Sequence, residues 1–292
     1  GSVGEEIWKR KKSDKVVCAV DFLSVGQGDC AVVRSGNGST YLIDCGSSSV
    51  KEVGEYRLKP WLKYHGISKL EAVFLSHPDS DHTNGVTELL EKTNSPDDWY
   101  RGEIQIANLV LPAAYRDEVE VLVNDEKSVE RIGEKVQSEE GGTREVIERE
   151  GGDETILQEG VVHEIAIGES KLSEEKGFAA IYKLARENGI PVLWFDTGDK
   201  VTEEGLSFTC LHPYEEYPTY DTNDSSMVLI MECQNTAVLF TGDVGRTGEE
   251  NIGLSLGEII DKENEVVILK VAHHGSKNSS SEKFLEIVQS DI

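Results

Sequence analysis

The chain is short of positive charge. Its 292 residues hold 29 Lys and Arg against 55 Asp and Glu, a formal net charge of −26 at pH 7. Phosphate backbones are ordinarily met by Lys and Arg, so a broad basic nucleic-acid surface is excluded. Any polymer substrate would have to enter along a local groove. Apolar runs are short as well. None approaches the roughly 20 residues of a membrane-spanning helix, and no segment reads as a signal peptide, which together suggest a cytoplasmic protein. The five cysteines, Cys18, Cys30, Cys45, Cys210 and Cys233, are odd in number and show no Cys-x-x-Cys spacing. They read as small buried residues in a reducing compartment, not as a disulfide framework or zinc ligands. Gly26-Gln27-Gly28-Asp29 lacks the Gly-Lys-Ser/Thr ending of a P-loop. No Ser-His-Asp arrangement or nucleophilic cysteine motif is visible.

What remains is ample for a core: 38% of the residues are hydrophobic, and the length fits one large α/β domain or two small ones. Gly1-Ser2 reads as an expression remnant within an N-terminal extension, residues 1–14, ahead of a domain over 15–292. The acidic excess is uneven. Asp117 to Lys176 holds 19 acidic and 7 basic residues, a net of −12. Residues 113–176 therefore read as an inserted acidic, partly helical segment. Around it, strands are expected at 16–23, 30–34, 40–44, 70–75, 104–111, 191–196, 206–211, 226–232, 236–240 and 266–271. Helices are expected at 51–64, from 87, at 119–136, 178–188, 249–260 and 281–288.

The most informative segment is Ser76-His77-Pro78-Asp79-Ser80-Asp81-His82. It follows the apolar run Leu70-Glu71-Ala72-Val73-Phe74-Leu75, so its four potential ligands are delivered at a strand-to-helix turn. Imidazoles and carboxylates together suit Zn²⁺, Mn²⁺ or Fe. Two of each in one loop exceed what one ion needs, which favours a two-metal site. The alternative, an ordinary surface loop with Asp79 or Asp81 capping the next helix, fits poorly with the apolar strand in front and Gly85 behind.

Five further blocks accompany this one in order: Phe22-Leu23-Ser24-Val25-Gly26-Gln27-Gly28-Asp29, Tyr41-Leu42-Ile43-Asp44-Cys45-Gly46, Asn223-Asp224-Ser225-Ser226, Leu239-Phe240-Thr241-Gly242-Asp243 and Lys270-Val271-Ala272-His273-His274-Gly275-Ser276. Together they resemble the metallo-β-lactamase superfamily, in its ComEC-like branch. The resemblance implies an α/β fold, an αββα sandwich with metals at one edge. It implies two divalent ions, Zn²⁺ or Mn²⁺. His77 and Asp79 would hold the first, Asp81 and His82 the second, and Asp243 would bridge both. Asp44 and Asp29 would stand behind the ligands, Asp44 fixing the tautomer of a metal-bound imidazole; a turn cap is an equal reading of Asp29. One of His273 and His274 would lie near the metal or the scissile phosphate as electrophile or proton donor. Ser276 could hold an anionic oxygen. Asn223 stands where many members carry another histidine ligand, and it is taken as a substrate contact. Its presence favours Mn²⁺ or a loosely held ion. The superfamily continues past the last helix with a strand bearing one more histidine, whereas this chain ends at Ile292. A site short of one ligand is the expectation.

The implied activity is a metal-dependent hydrolase, most simply a phosphodiesterase or nuclease that cuts nucleic acid with a metal-activated water oriented by Asp81. Two other classes stay open. One is a hydrolase of a small phosphoester, cyclic nucleotide or lactone, for which an acidic surface is no obstacle. The other is a non-catalytic sensor or binding module with a protein partner in a larger assembly.

Overall fold

A computed structural model describes residues 18–92, 104–123, 177–203, 205–259 and 266–292. The N-terminal extension and residues 124–176 of the expected acidic insert lie outside the described residues.

Strands β1 (Cys18–Phe22), β2 (Cys30–Ser35) and β3 (Thr40–Cys45) form an antiparallel meander. The Gly36-to-Ser39 turn between the last two closes through a Ser35 N–H to Ser39 carbonyl bond of 2.9 Å. After helix α1 (Lys59–Tyr64) come the short strands β4 (Lys69–Leu70) and β5 (Ala72–Phe74), then helix α2 (Ser80–Lys92). β6 (Gln105–Ile106) pairs only with β4, while β7 (Leu109–Pro112) continues the main sheet. Helix α3 (Phe178–Glu187) leads to β8 (Val192–Phe195). The first sheet therefore runs β1-β2-β3-β5-β7-β8, with β3, β5, β7 and β8 mutually parallel. The second sheet holds β9 (Lys200–Glu203), β10 (Leu206–His212), β11 (Val228–Cys233), β12 (Thr236–Phe240) and β13 (Val266–Lys270) in the order β13-β12-β11-β10-β9. Only its β12–β13 pair is parallel.

The layers follow from the two-residue period of the strands. In β2 and β3, Ala31, Val33, Tyr41 and Ile43 point between the sheets, where they meet Phe74, Phe208, Met231 and Phe240. The alternate residues Val32 and Leu42 point outward and are covered with Leu89, Leu90 and Ile181 of α2 and α3. Helices α4 (Arg246–Ile259) and α5 (Glu282–Val288) cover the second sheet, with Ile252, Leu256, Phe284 and Val288 on Leu211, Ile230 and Leu239. Helix, sheet, sheet and helix are stacked in that order, which is an αββα sandwich.

Several local expectations need correction. Helix α2 starts at Ser80, seven residues before Thr87. The Asp79 carbonyl accepts from the His82 N–H at 3.0 Å and the Thr83 hydroxyl at 3.0 Å, and this starts the helix inside the ligand segment. The helix expected over 51–64 divides into a π-type turn, Gly54–Leu58, and α1. Pro60 has no N–H to give, and the Glu88 carboxylate accepts from the N–H groups of Gly54 and Glu55 at 2.8 and 3.3 Å. The strand expected over 104–111 breaks at Ala107-Asn108, where the Asn108 side chain donates to the Glu71 carbonyl at 2.9 Å. Strand β9 was not expected at all. The cysteine reading also fails. Cys18 of β1 and Cys233 of β11 form a disulfide that ties the two sheets together. Only Cys30, Cys45 and Cys210 are free thiols, all buried. No described helix is long and apolar enough to cross a membrane.

Candidate metal centre

Five of the six blocks follow a strand end on the same side of the sandwich, and the sixth, Asn223 to Ser226, is the turn that leads into β11 there. β3 closes with Asp44-Cys45, β5 leads into His77, β12 into Asp243 and β13 into His273 and His274. Tight backbone packing brings these ends together. Gly46 lies against the ligand loop so closely that a Cβ there would stand 2.3 Å from the Asp81 carbonyl carbon. The Asp29 N–H donates to the Asp81 carbonyl at 3.1 Å, and the Asp29 carbonyl accepts from Gly46 at 3.0 Å.

His82 is fully buried between two carboxylates. Its Nδ1 lies 2.9 Å from Asp44 Oδ2 and its Nε2 3.0 Å from Asp243 Oδ1. Asp44 sits at a left-handed φ of 51°, a conformation that costs a non-glycine residue energy and recurs at functional sites. Its carboxylate also accepts the Ser76 N–H and the Ser76 hydroxyl, both at 2.7 Å. His77 is likewise fully buried, its Nδ1 3.0 Å from Ser76 Oγ and its Nε2 3.7 Å from Asp79 Oδ2. Asp79 is half-exposed. His273 and His274 both adopt left-handed backbone, with φ of 51° each, so the chain turns and both rings face the same cluster. His273 Nε2 and His274 Nε2 each lie 3.7 Å from Asp243 Oδ2, and His274 Nε2 lies 3.6 Å from Asp81 Oδ2. His274 Nδ1 is 3.3 Å from Asp29 Oδ1, and Asp29 Oδ2 is paired with the Lys270 ammonium.

The electrostatics are those of carboxylates and imidazoles crowded into one buried space. Burial alone would depress His82, but Asp44 and Asp243 outweigh it and raise its pKa to about 10. The Asp29 and Asp81 carboxylates raise His274 to about 9. Burial, with the neighbouring His82, lowers His77 to about 3. Burial would raise Asp29 and Asp243, yet their cationic neighbours hold both at about 2. Burial and the adjacent Asp81 raise Asp79.

Buried polar atoms are normally hydrogen-bonded. Here His77 Nε2 and His274 Nε2 are buried without a hydrogen-bond partner, and His82 Nε2 and Asp243 Oδ1 meet only each other, as an ion pair at 3.0 Å. Ligand atoms of Asp29, His82, Asp243 and His274 all lie within 4.8 Å of one another. Nitrogen and carboxylate donors turned toward one space fit a divalent cation.

The expected metal ligands His77, Asp79, Asp81, His82 and Asp243 all border this space. The tightest grouping, however, includes His274 and Asp29 and leaves out His77, Asp79 and Asp81. Ser276 lies in the same turn as the two histidines, its N–H donating to the His273 carbonyl at 2.9 Å. Asn223 lies in the 221–226 turn, its N–H on Asp221 Oδ1 at 3.1 Å. That turn also supplies Ser226, whose hydroxyl accepts the Asp243 N–H at 3.2 Å. His212 is buried in the sandwich with Nε2 2.7 Å from the Asp224 carbonyl, a structural contact. Two residues were missed. Ser76 orders Asp44, His77 and His82 at once, and Lys270 reaches Asp29. The one sequence signal for Lys270 was a charge ending an otherwise apolar strand.

The family model described as the Metallo-beta-lactamase superfamily matches residues 23–292. The chain belongs to the metallo-β-lactamase superfamily. It is 27% identical to ComE operon protein 3 of Bacillus subtilis, over 92% of this chain and 27% of that protein. It is 26% identical to Recombination protein 2 of Haemophilus influenzae, over 97% of this chain and 24% of that one. The chain thus spans about a quarter of the length of these curated relatives, and it is ComEC-like in that sense. Among solved structures, a metallo-β-lactamase from Hirschia baltica aligns with a TM-score of 0.39 and 11% identity, over 93% of this chain and 90% of that one. Taken with the Asp and His cluster, membership identifies a superfamily hydrolase with a candidate divalent-metal site.

Proposed function

We propose that this chain is a metal-dependent phosphodiesterase that cuts single-stranded nucleic acid. The observation that carries the reading is the set of buried nitrogen and carboxylate atoms on His77, His82, His274 and Asp243, converging from separate strand ends. On this reading His82, His274, Asp81 and Asp243 hold one cation, and His77, Asp79 and Asp243 hold a second. Two divalent ions, when bound, supply an activated water and offset charge at phosphorus. The protein's own contribution is orientation. Asp44 accepts the Nδ1 proton of His82, which turns its Nε2 toward Asp243. His273 is the most exposed of the site imidazoles, at 36% of its side chain, and is placed to give a proton to the leaving oxygen. Ser276 and the exposed Lys277 beside it, with exposed Arg246 three residues after Asp243, offer local contacts to flanking phosphates despite the net charge of −26. The name of the Haemophilus relative, a recombination protein, supports nucleic acid as substrate.

One observation favours the smaller substrates. A cavity of about 630 Å³ beside Asp79 and Asp81 is lined by Glu88 and Glu91, and such a wall repels a polyanion. Mn²⁺ is the preferred ion, since the Asn223-Asp224-Ser225-Ser226 segment supplies no imidazole where superfamily members carry one for tight Zn²⁺. The expectation of a cytoplasmic setting drew on the short apolar runs and on the reading of the cysteines as reduced, and the Cys18–Cys233 bond replaces the second ground with one for an oxidising compartment. The test is incubation with Mn²⁺ and end-labelled single strands, alongside bis-p-nitrophenyl phosphate. Strand cleavage abolished by Asp81→Ala supports the proposal. Turnover of the small ester alone supports the smaller-substrate reading, and metal binding without turnover of either refutes an enzymatic one.

A further inference from the structure

Asp29 sits among the four groups whose ligand atoms lie within 4.8 Å of one another, so proximity alone would make it a metal ligand. Its surroundings argue otherwise. Oδ1 lies 3.3 Å from His274 Nδ1, and Oδ2 pairs with the Lys270 ammonium. Its backbone is fixed at both ends by Asp81 and Gly46. The same motif occurs once more in the site: Asp44 stands behind His82 Nδ1, while the far nitrogen of His82 faces Asp243. The two carboxylates differ in what holds them. Asp44 is held by the neutral donors of Ser76, whereas Asp29 is held by a cation, and both partners are largely buried, with 14% and 16% of their side chains exposed. Asp29 Oδ2 lies only 3.8 Å from His82 Nδ1. Without a competing cation, a short rotation would bring it toward the imidazoles and any bound ion.

Resting on the metal-site reading above, we propose that Lys270 is a positioning residue that holds Asp29 out of coordination. Its ammonium keeps that carboxylate behind His274, so His274 presents Nε2 to Asp81 and Asp243. The centre keeps an open position, which catalytic sites need for water and substrate. Lys270 sits at the last residue of β13, four residues before His274, so one strand end supplies both the ligand and the cation that orders it.

The test is Co²⁺ and Mn²⁺ titration of the metal-free protein, reading the Co²⁺ visible spectrum and the dissociation constants. Lys270→Met removes the competing charge and frees an anionic oxygen. The expected result is a weaker visible band, marking a higher coordination number, and binding tighter by about tenfold, the size of effect that groups behind metal ligands produce. Lys270→Arg restores the wild-type spectrum. In an Asp29→Ala background, Lys270→Met changes neither the spectrum nor the affinity. Lys270→Gln serves as the second charge-removing variant if the methionine variant does not fold. A wild-type spectrum and affinity in the charge-removing variants, or an effect that persists in the Asp29→Ala background, overturns the proposal while leaving the metal site standing. Wild-type protein that binds neither ion overturns both.

Discussion

Metal loading should expel protons, and the structure says how many. In the metal-free protein the pKa of His82 is raised to about 10 and that of His274 to about 9. Both rings therefore carry two N–H groups at neutral pH, and each must lose its Nε2 proton before that nitrogen can serve as a ligand. His77, lowered to about 3, is already neutral and releases nothing. Asp29 and Asp243, at about 2, are already ionised. The expected release from these side chains is two protons per chain when both imidazoles are engaged, and any proton beyond two comes from bound water. Each proton is worth a factor of about ten in affinity per pH unit, or roughly 1.4 kcal/mol. The overall binding constant should thus rise about 100-fold per unit between about pH 5 and 8. Calorimetric titration with Mn²⁺ in buffers of different ionisation enthalpy reads the proton count as a slope. A count below one, with a dissociation constant independent of pH across that window, would refute the placement of His82 and His274 in the metal centre.

Three further outcomes follow from the same structure. Reducing the Cys18–Cys233 disulfide, which spans 215 residues of chain, should cost about 2–5 kcal/mol of stability; thiol titration of denatured, unreduced protein should find three free thiols, and five would contradict the bond. Gly46→Ala would drive a Cβ into the Asp81 backbone, so the folded variant should show at least about tenfold weaker Mn²⁺ binding, and wild-type affinity would show that the loop contact does not position the ligands. Metal-free protein should be most stable near pH 6.5, as measured by the denaturant midpoint in chelator. His82 and His274 have folded values above their ordinary 6.5, so their contribution is complete below 6.5 and is lost as pH rises toward 9 and 10. His77 has the opposite sign and costs stability as pH falls from 6.5 toward 3, joined by Asp29 and Asp243 as pH falls from 3.8 toward 2. A midpoint that rises between pH 7 and 9 would contradict this balance.

The fold and the convergence of the blocks on one edge were legible because strong local signals coincide there. Apolar strands such as Val73-Phe74-Leu75 run straight into polar residues that strand packing does not call for, as at His77, Asp243 and His274. The start of α2 was placed too late because its first turn is written in ligands, Ser80-Asp81-His82, whose periodicity is not apolar. Strand β9 was missed because Lys200-Val201-Thr202-Glu203 is short and polar, and it forms by pairing with β10. The disulfide was beyond sequence reasoning for a different reason. Cys18 and Cys233 meet only when the two sheets stack, and neither lies near the other along the chain. Lys270 showed only as a charge ending an apolar strand, since its partner Asp29 is 241 residues away and the pairing exists only where β13 passes the Gly28-Asp29 turn.

The most direct test of the two-cation site is metal stoichiometry. Protein loaded with Mn²⁺ or Zn²⁺ and then desalted should retain two ions per chain by elemental analysis, and Asp81→Ala with Asp243→Ala together should reduce this to at most one. An ion content near zero in the wild type, or one unchanged by the paired substitution in folded protein, would contradict the site.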